Sequence, residues 1–88
     1  MEVPEAMQTR YVERRKHDLE VCRENLALQN FSELQKVGHQ LKGNGVTFGF
    51  SDISAIGKRM EVAAAEENVR EMEKALKDLS HWVSRHLN

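Results

Sequence analysis

One group that could do chemistry is the imidazole of His39, which lies in a glycine-rich stretch that reads GHQLKGNGVTFG over residues 38–49. A neutral imidazole nitrogen is a nucleophile near pH 7. Lys42 follows three residues later, so on a helix it flanks His39 from nearly one turn away. Gly43 has no side chain, so another protein can approach the ring closely. Together these residues predict a reactive surface on a helix.

The residues around His39 predict a helix that turns the imidazole toward solvent. At about 100° per residue, the apolar positions of this helix gather on the face opposite His39; they are Leu34, Val37, Leu41 and Phe48. Most outward-facing histidines are ordinary solvated residues, and position alone leaves that interpretation open.

Glycines are unusually dense in this helix, although a glycine inside a helix costs roughly 1 kcal/mol relative to alanine. Gly43 lies one turn after His39 on the same face, where it exposes the imidazole. Gly49 is expected to end the helix in a left-handed conformation. Gly38 and Gly45 flank the apolar face, where small residues let neighbouring helices pack closely.

The rest of the chain also has helical periodicity, and no segment alternates as a strand would. The first segment begins near Pro4 and runs to about Leu28, as one long helix with a bend or as a short leading helix followed by a longer one. Ser51 and Asn68 are predicted to cap the third and fourth segments. We therefore expect an all-α fold, an antiparallel four-helix bundle in one domain over residues 1–88, with a short extra N-terminal helix as an alternative.

Composition and charge exclude several classes of function. Thirteen basic against fourteen acidic residues give a net charge of -1 and predict no nucleic-acid partner. No apolar run approaches the length of a membrane span. Cys22 is the single cysteine, which excludes an intrachain disulfide and favours a cytoplasmic location.

Common cofactor and metal sites are also missing from the sequence. The glycine-rich stretch does not fit a phosphate-binding loop, because its lysine precedes the glycine and no strand leads into it. The histidines offer no pair three or four residues apart; they are His17, His39, His81 and His86. Trp82 is expected to border the core and not to stack on a ligand. We predict no metal and no cofactor of the chain's own.

The stretch around His39 resembles the histidine-containing phosphotransfer (HPt) domain. That family's pattern is His-x-x-Lys-Gly with a further glycine six residues on, matched here by His39, Lys42, Gly43 and Gly49. Leu41 occupies a position that is usually apolar. The similarity extends more weakly over essentially the whole chain, including Met60-Glu61 and the small residues 63–65. Asn44 departs from the small residue common after Lys-Gly, and we expect it to bond to backbone or to a neighbouring helix.

The resemblance implies a phosphorelay intermediate that is not itself an enzyme. His39 would accept a phosphoryl group from a receiver aspartate or a sensor or hybrid histidine kinase, and pass it to a response-regulator receiver. Lys42 would stabilise the phosphoryl group, and Gly43 would keep the approach clear. The receiver would supply Mg²⁺. Docking of the receiver is assigned to Gln35, Lys36 and Val46.

A second hypothesis is a helical adaptor that binds partners without transferring phosphate. It predicts that His39 is dispensable. For either function we expect a monomer, and the starting methionine and complete bundle favour a free-standing protein over a domain of a hybrid kinase.

Overall fold

The computed structural model describes residues 3–87, which form four α-helices joined by short turns and no strand. Helix α1 spans Glu5–Ala27, α2 Phe31–Thr47, α3 Ser51–Ala65 and α4 Val69–His86. The predicted all-α fold with four main helices is confirmed. None of the helices within residues 3–87 has the length and apolar character needed to cross a membrane.

The first helix is continuous from Glu5 to Ala27. Pro4 occupies the position just before it, where the missing amide hydrogen costs no helical hydrogen bond. The Pro4 carbonyl accepts hydrogen bonds from the backbone amides of Met7 and Gln8, and these bonds form the first turn of the helix. The alternative with a separate short N-terminal helix is therefore wrong for the residues that the structure describes.

The turn between α2 and α3 is a compact Schellman motif. The amide of Gly49 donates to the carbonyl of Val46, and the amide of Phe50 donates to the carbonyl of Gly45 at 2.7 Å. Gly49 has a φ of +88°, as predicted for a helix-ending glycine. The prediction that Ser51 caps α3 is wrong. Because the motif ends at Phe50, that residue takes the cap position, and Ser51 is already helical.

The start of α4 has the predicted side-chain cap. The Asn68 carboxamide oxygen accepts the amide of Glu71 at 3.1 Å, which satisfies one of the amides left free at a helix start. Arg85 lies in the last turn, where its positive charge complements the helix dipole.

One apolar core lies between the four helices, each of which packs against two others: α1 and α3 both contact α2 and α4. Trp82 is fully buried within this core, so the expectation that it borders the core is wrong. Stacked and edge-on aromatic contacts surround it and enclose the whole indole. The other large side chains that are fully buried are Leu34, Leu41, Ile53, Met60, Met72 and Leu79.

Helices α2 and α3 approach each other closely because glycines line their contact. A Cβ at Gly38 would lie 2.7 Å from the amide nitrogen of Glu61. A Cβ at Gly45 would lie 2.5 Å from the amide nitrogen of Ser54. The packing role predicted for both glycines is confirmed. Gly57 on α3 completes the contact, since a Cβ there would overlap the backbone of α2.

Candidate functional site

Helix α2 presents His39 to solvent, as its apolar pattern predicts. The His39 side chain is 71% exposed, whereas Leu34 and Leu41 on the opposite face are fully buried. Val37 and Phe48, also predicted for the buried face, are half-buried and pack against the core. The core therefore fixes the rotation of α2, and that rotation exposes the imidazole.

A carboxylate from α3 connects His39 with Lys42. Glu61 Oε2 lies 2.6 Å from His39 Nδ1, and Glu61 Oε1 accepts a hydrogen bond from Lys42 Nζ at 2.8 Å. The side chain of Glu61 is 23% exposed and that of Lys42 is 42% exposed. The close approach of α3 at Gly38 and Gly57 brings this carboxylate within reach of both α2 side chains.

The charge state of Glu61 determines which nitrogen of His39 carries a hydrogen. The hydrogen bond from Lys42, and secondly that from His39, hold the pKa of Glu61 below its ordinary value, against a smaller effect of burial. The carboxylate is therefore ionised near neutral pH and can only accept hydrogen bonds. Nδ1 must then be the donor, which leaves the lone pair of a neutral ring on Nε2. Within residues 3–87, Nε2 has no hydrogen-bond partner.

The surface beside His39 is open. Nothing lies within 4 Å of a Cβ placed on Gly43, so this glycine fills no packing role among residues 3–87. Gln35 and Lys36 line a shallow groove together with His39 and Glu61. Val46 is 64% exposed but lies outside that groove, near the start of α1. The structure thus gathers all the predicted site residues except Val46.

Asn44 bonds to a neighbouring helix, as predicted. Its Oδ1 accepts a hydrogen bond of 2.6 Å from the hydroxyl of Tyr11 on α1. Burial raises the pKa of Tyr11 above its ordinary value, so the hydroxyl keeps its hydrogen. The contact connects α1 to α2 one residue after Gly43.

Neither the cysteine nor a cluster of metal-ligating side chains offers a second reactive site within residues 3–87. Cys22 is buried, and that burial raises the pKa of its thiol to about 12, so the nucleophilic thiolate is not formed near neutral pH. Residues 3–87 contain no group of three or more histidine, cysteine, aspartate or glutamate side chains placed to hold a metal ion.

Comparison with known families agrees with this arrangement. The family model described as the Hpt domain matches residues 6–85, nearly the whole chain. The chain belongs to the Hpt domain family. The resemblance read from His39, Lys42, Gly43 and Gly49 is thereby confirmed. Hpt domains are phosphotransfer modules of two-component signalling; they have no kinase activity of their own and interact with receiver and kinase domains. No curated protein and no solved structure matches the chain.

Sequence reasoning missed the part that Glu61 plays at the Hpt site. The only signal was its place in the weaker similarity after the motif, because helical periodicity relates residues within α2 and not residues of different helices. Gly57 was missed for the same reason. A glycine on the neighbouring helix, opposite Gly38 and Gly45, was the available sign that α2 and α3 approach closely.

Proposed function

We propose that the chain is a phosphocarrier in which His39 receives a phosphoryl group on Nε2 from a receiver aspartate or a histidine kinase, and passes it to a receiver aspartate. The observation that carries this proposal is the state of the imidazole. The ring is largely exposed, and Nδ1 forms a hydrogen bond with Glu61. Nε2 has no hydrogen-bond partner within residues 3–87. A protein surface can therefore reach the nucleophilic nitrogen directly.

For a receiver aspartate as donor, the proposed transfer is a displacement at phosphorus by Nε2. The Nε2 lone pair attacks the phosphorus, the Nε2–P bond forms, and the P–O bond to the donor aspartate breaks, which releases a carboxylate. The ring gains positive charge in this step, and the Glu61 carboxylate stabilises that charge from the Nδ1 side. Transfer onward is the reverse, with the acceptor's carboxylate as the nucleophile.

Lys42 is proposed to stabilise the charge on the phosphoryl oxygens. In this structure its ammonium group bonds to Glu61, and the side chain is exposed enough to change rotamer without disturbing the core. Phosphoryl transfer depends mainly on positioning and on positive charge near the equatorial oxygens. Mg²⁺ is proposed to come from the receiver's acidic cluster. Gln35, Lys36 and Val46, all exposed on α2, are proposed to contact the receiver.

The proposal is tested by phosphotransfer from a panel of phosphorylated receiver domains. The wild-type chain should acquire phosphate that is labile in acid and stable in alkali, and His39→Gln should acquire none. His81→Gln is the matched control, because His81 is an exposed histidine on α4, away from the site. It should accept phosphate at the wild-type rate.

Two outcomes would overturn the proposal. Labelling that survives His39→Gln would place the phosphate elsewhere. A folded wild-type chain that accepts phosphate from no donor, yet still binds a receiver, would identify an adaptor instead. Circular dichroism of each variant establishes that the bundle is intact.

A further inference from the structure

A cleft of about 180 Å³ lies between α1 and α2, away from the groove beside His39. Arg10, Arg14 and Arg15 contribute to its lining, and Met7 and Phe48 supply an apolar part. Within residues 3–87, no acidic side chain lines this cleft. We call it the arginine cleft. Convergent positive charge on partly apolar walls attracts an anion more strongly than the same charge on a flat surface.

Arg15 is the least ordinary residue of the arginine cleft, because its side chain is only 9% exposed. Its Nε donates to Asp18 at 2.8 Å, and its guanidinium lies over the Tyr11 ring, 4.2 Å from the centroid, where it also interacts with the hydroxyl. A guanidinium has five N–H donors. Within residues 3–87 none of its guanidinium nitrogens is both buried and without a partner, so the N–H groups not used by Asp18 reach either Tyr11 or the open cleft.

Arg10 and Arg14 add positive charge to the cleft that no ion pair within residues 3–87 neutralises. Both are exposed, and neither forms an ion pair or hydrogen bond within residues 3–87. They are four residues apart on α1, so their like charges repel each other slightly. Asp18 pairs with Arg15, and Glu13 lines the adjoining hollow together with Arg10 and Arg14. The three arginines therefore exceed the acidic side chains around them by about one charge.

We propose that the arginine cleft binds a phosphate monoester carried on a planar, partly apolar body, of the class of a nucleoside 5′-monophosphate. Such a phosphate carries about 1.5 to 2 negative charges at pH 7, which complements the positive charge of the arginine cleft. Guanidinium groups bind phosphate oxygens in a bidentate manner. Met7 is exposed and flexible, and with the half-buried Phe48 it offers an apolar surface to the ring.

The proposal is independent of phosphotransfer by His39, because it concerns other residues and another face of α2. Tyr11 and Asn44 both line the arginine cleft, and the hydrogen bond between them connects α1 to α2, the helix that carries His39. Binding is therefore measured on the unphosphorylated chain, with no receiver present.

The test is a titration of the ¹⁵N-labelled chain with adenosine 5′-monophosphate, adenosine and inorganic phosphate. We expect saturable shifts at the amides of α1 and around Asn44, with a Kd for the monophosphate below about 1 mM. Adenosine and inorganic phosphate should each bind about ten-fold more weakly. Arg10→Gln and Arg14→Gln should each weaken binding about ten-fold, the usual loss for one charged hydrogen bond. Arg23→Gln, an equal charge change on α1 outside the cleft, should not.

Several results would overturn the proposal. One is the absence of saturation at 10 mM, roughly ten times the expected Kd. A second is equal weakening by Arg23→Gln, which would show diffuse attraction to the whole helix. A third is equal binding of adenosine, which would exclude recognition of the phosphate. Binding of an acidic peptide through Arg10 and Arg14 without binding of the monophosphate would assign the cleft to a protein partner.

Discussion

The imidazole of His39 is held by a carboxylate that belongs to another helix. The Glu61 carboxylate accepts a hydrogen bond from His39 Nδ1. The lone pair of the neutral ring is therefore on Nε2, the nitrogen that faces solvent. The same carboxylate also holds Lys42 close to the ring. One acidic side chain thus sets both the tautomer of His39 and the position of the Lys42 ammonium group.

Removing Glu61 should slow phosphoryl transfer without unfolding the chain. Glu61→Ala removes the acceptor for Nδ1–H, and we expect the rate to fall about two- to five-fold, as for other exposed charged contacts. The ¹⁵N shifts of the imidazole should show a smaller fraction of the Nδ1–H tautomer. Glu61→Gln, which keeps an acceptor oxygen, should restore that fraction and part of the rate. A change in rate with an unchanged tautomer would contradict the positioning role.

Lys42 should matter for rate and not for folding. Lys42→Ala removes the positive charge beside the phosphoryl group, so we expect transfer about ten-fold slower. Helicity should be unchanged, because the side chain is exposed and alanine favours helix. Lys58→Ala on α3 is the charge-matched control. Equal rates for wild type and Lys42→Ala would remove Lys42 from the mechanism.

The ionisation of Glu61 makes the stability of the fold depend on pH. Its pKa in the folded chain lies below the ordinary 4.5, chiefly because of Lys42. A lowered pKa means that the contact contributes stability above pH 4.5 and that this contribution is lost as pH falls through the lowered value. An NMR titration of the Glu61 carboxyl should give a midpoint below 4.5, and Lys42→Ala should raise it. A midpoint that Lys42→Ala leaves unchanged would contradict the assigned cause.

At the scale of elements, the contact between α2 and α3 brings the site together. Glycines on both helices allow the close approach, while Gly43 on the outer face of α2 leaves space for a partner. Identical substitutions on one helix therefore have opposite consequences, depending on the face.

The substitutions Gly38→Ala and Gly43→Ala separate the packing of α2 against α3 from the access of a partner to His39. Gly38→Ala forces a Cβ against the backbone of α3 and should destabilise the fold by about 1–3 kcal/mol. Gly43→Ala meets no neighbour and should stabilise the fold by up to about 1 kcal/mol, while transfer slows because the methyl group narrows the approach to His39. Chemical denaturation and the receiver assay measure the two effects. Equal destabilisation by both changes would contradict the assignment of faces.

Much of this arrangement could be predicted from the sequence, because it follows from periodicity within one helix. The apolar face of α2 places His39 outward, and Gly49 and Asn68 mark helix ends. The position of α3 could not be predicted in this way, since the distance from Glu61 to His39 depends on the rotation and approach of two separate helices. Ser51 was predicted to cap α3 but is already helical, because the Schellman motif at Gly49 places Phe50 at the cap position.

At the scale of the whole molecule, an aromatic cluster connects α1, the turn between α2 and α3, and α4. Tyr11 stacks on Phe48 and Phe50 with centroid distances of 4.7 and 5.4 Å, and Trp82 meets Phe50 edge-on at 5.0 Å. His86 stacks on Trp82 and lies close to the end of α4. This cluster fixes the turn that follows the helix of His39.

Trp82 should carry a large share of the stability of the bundle. Trp82→Ala empties a fully buried site and should cost about 3–5 kcal/mol, against a total of roughly 5–10 kcal/mol for a chain of this size. Trp82→Phe leaves a smaller cavity and removes an indole N–H that is buried without an acceptor within residues 3–87, so it should cost less than half as much. Denaturant titrations measure both values.

Below its melting temperature Trp82→Ala should still transfer phosphate at close to the wild-type rate, because His39, Lys42 and Glu61 are held by the contact between α2 and α3. A folded Trp82→Ala chain with impaired transfer would show instead that the site depends on the distant core.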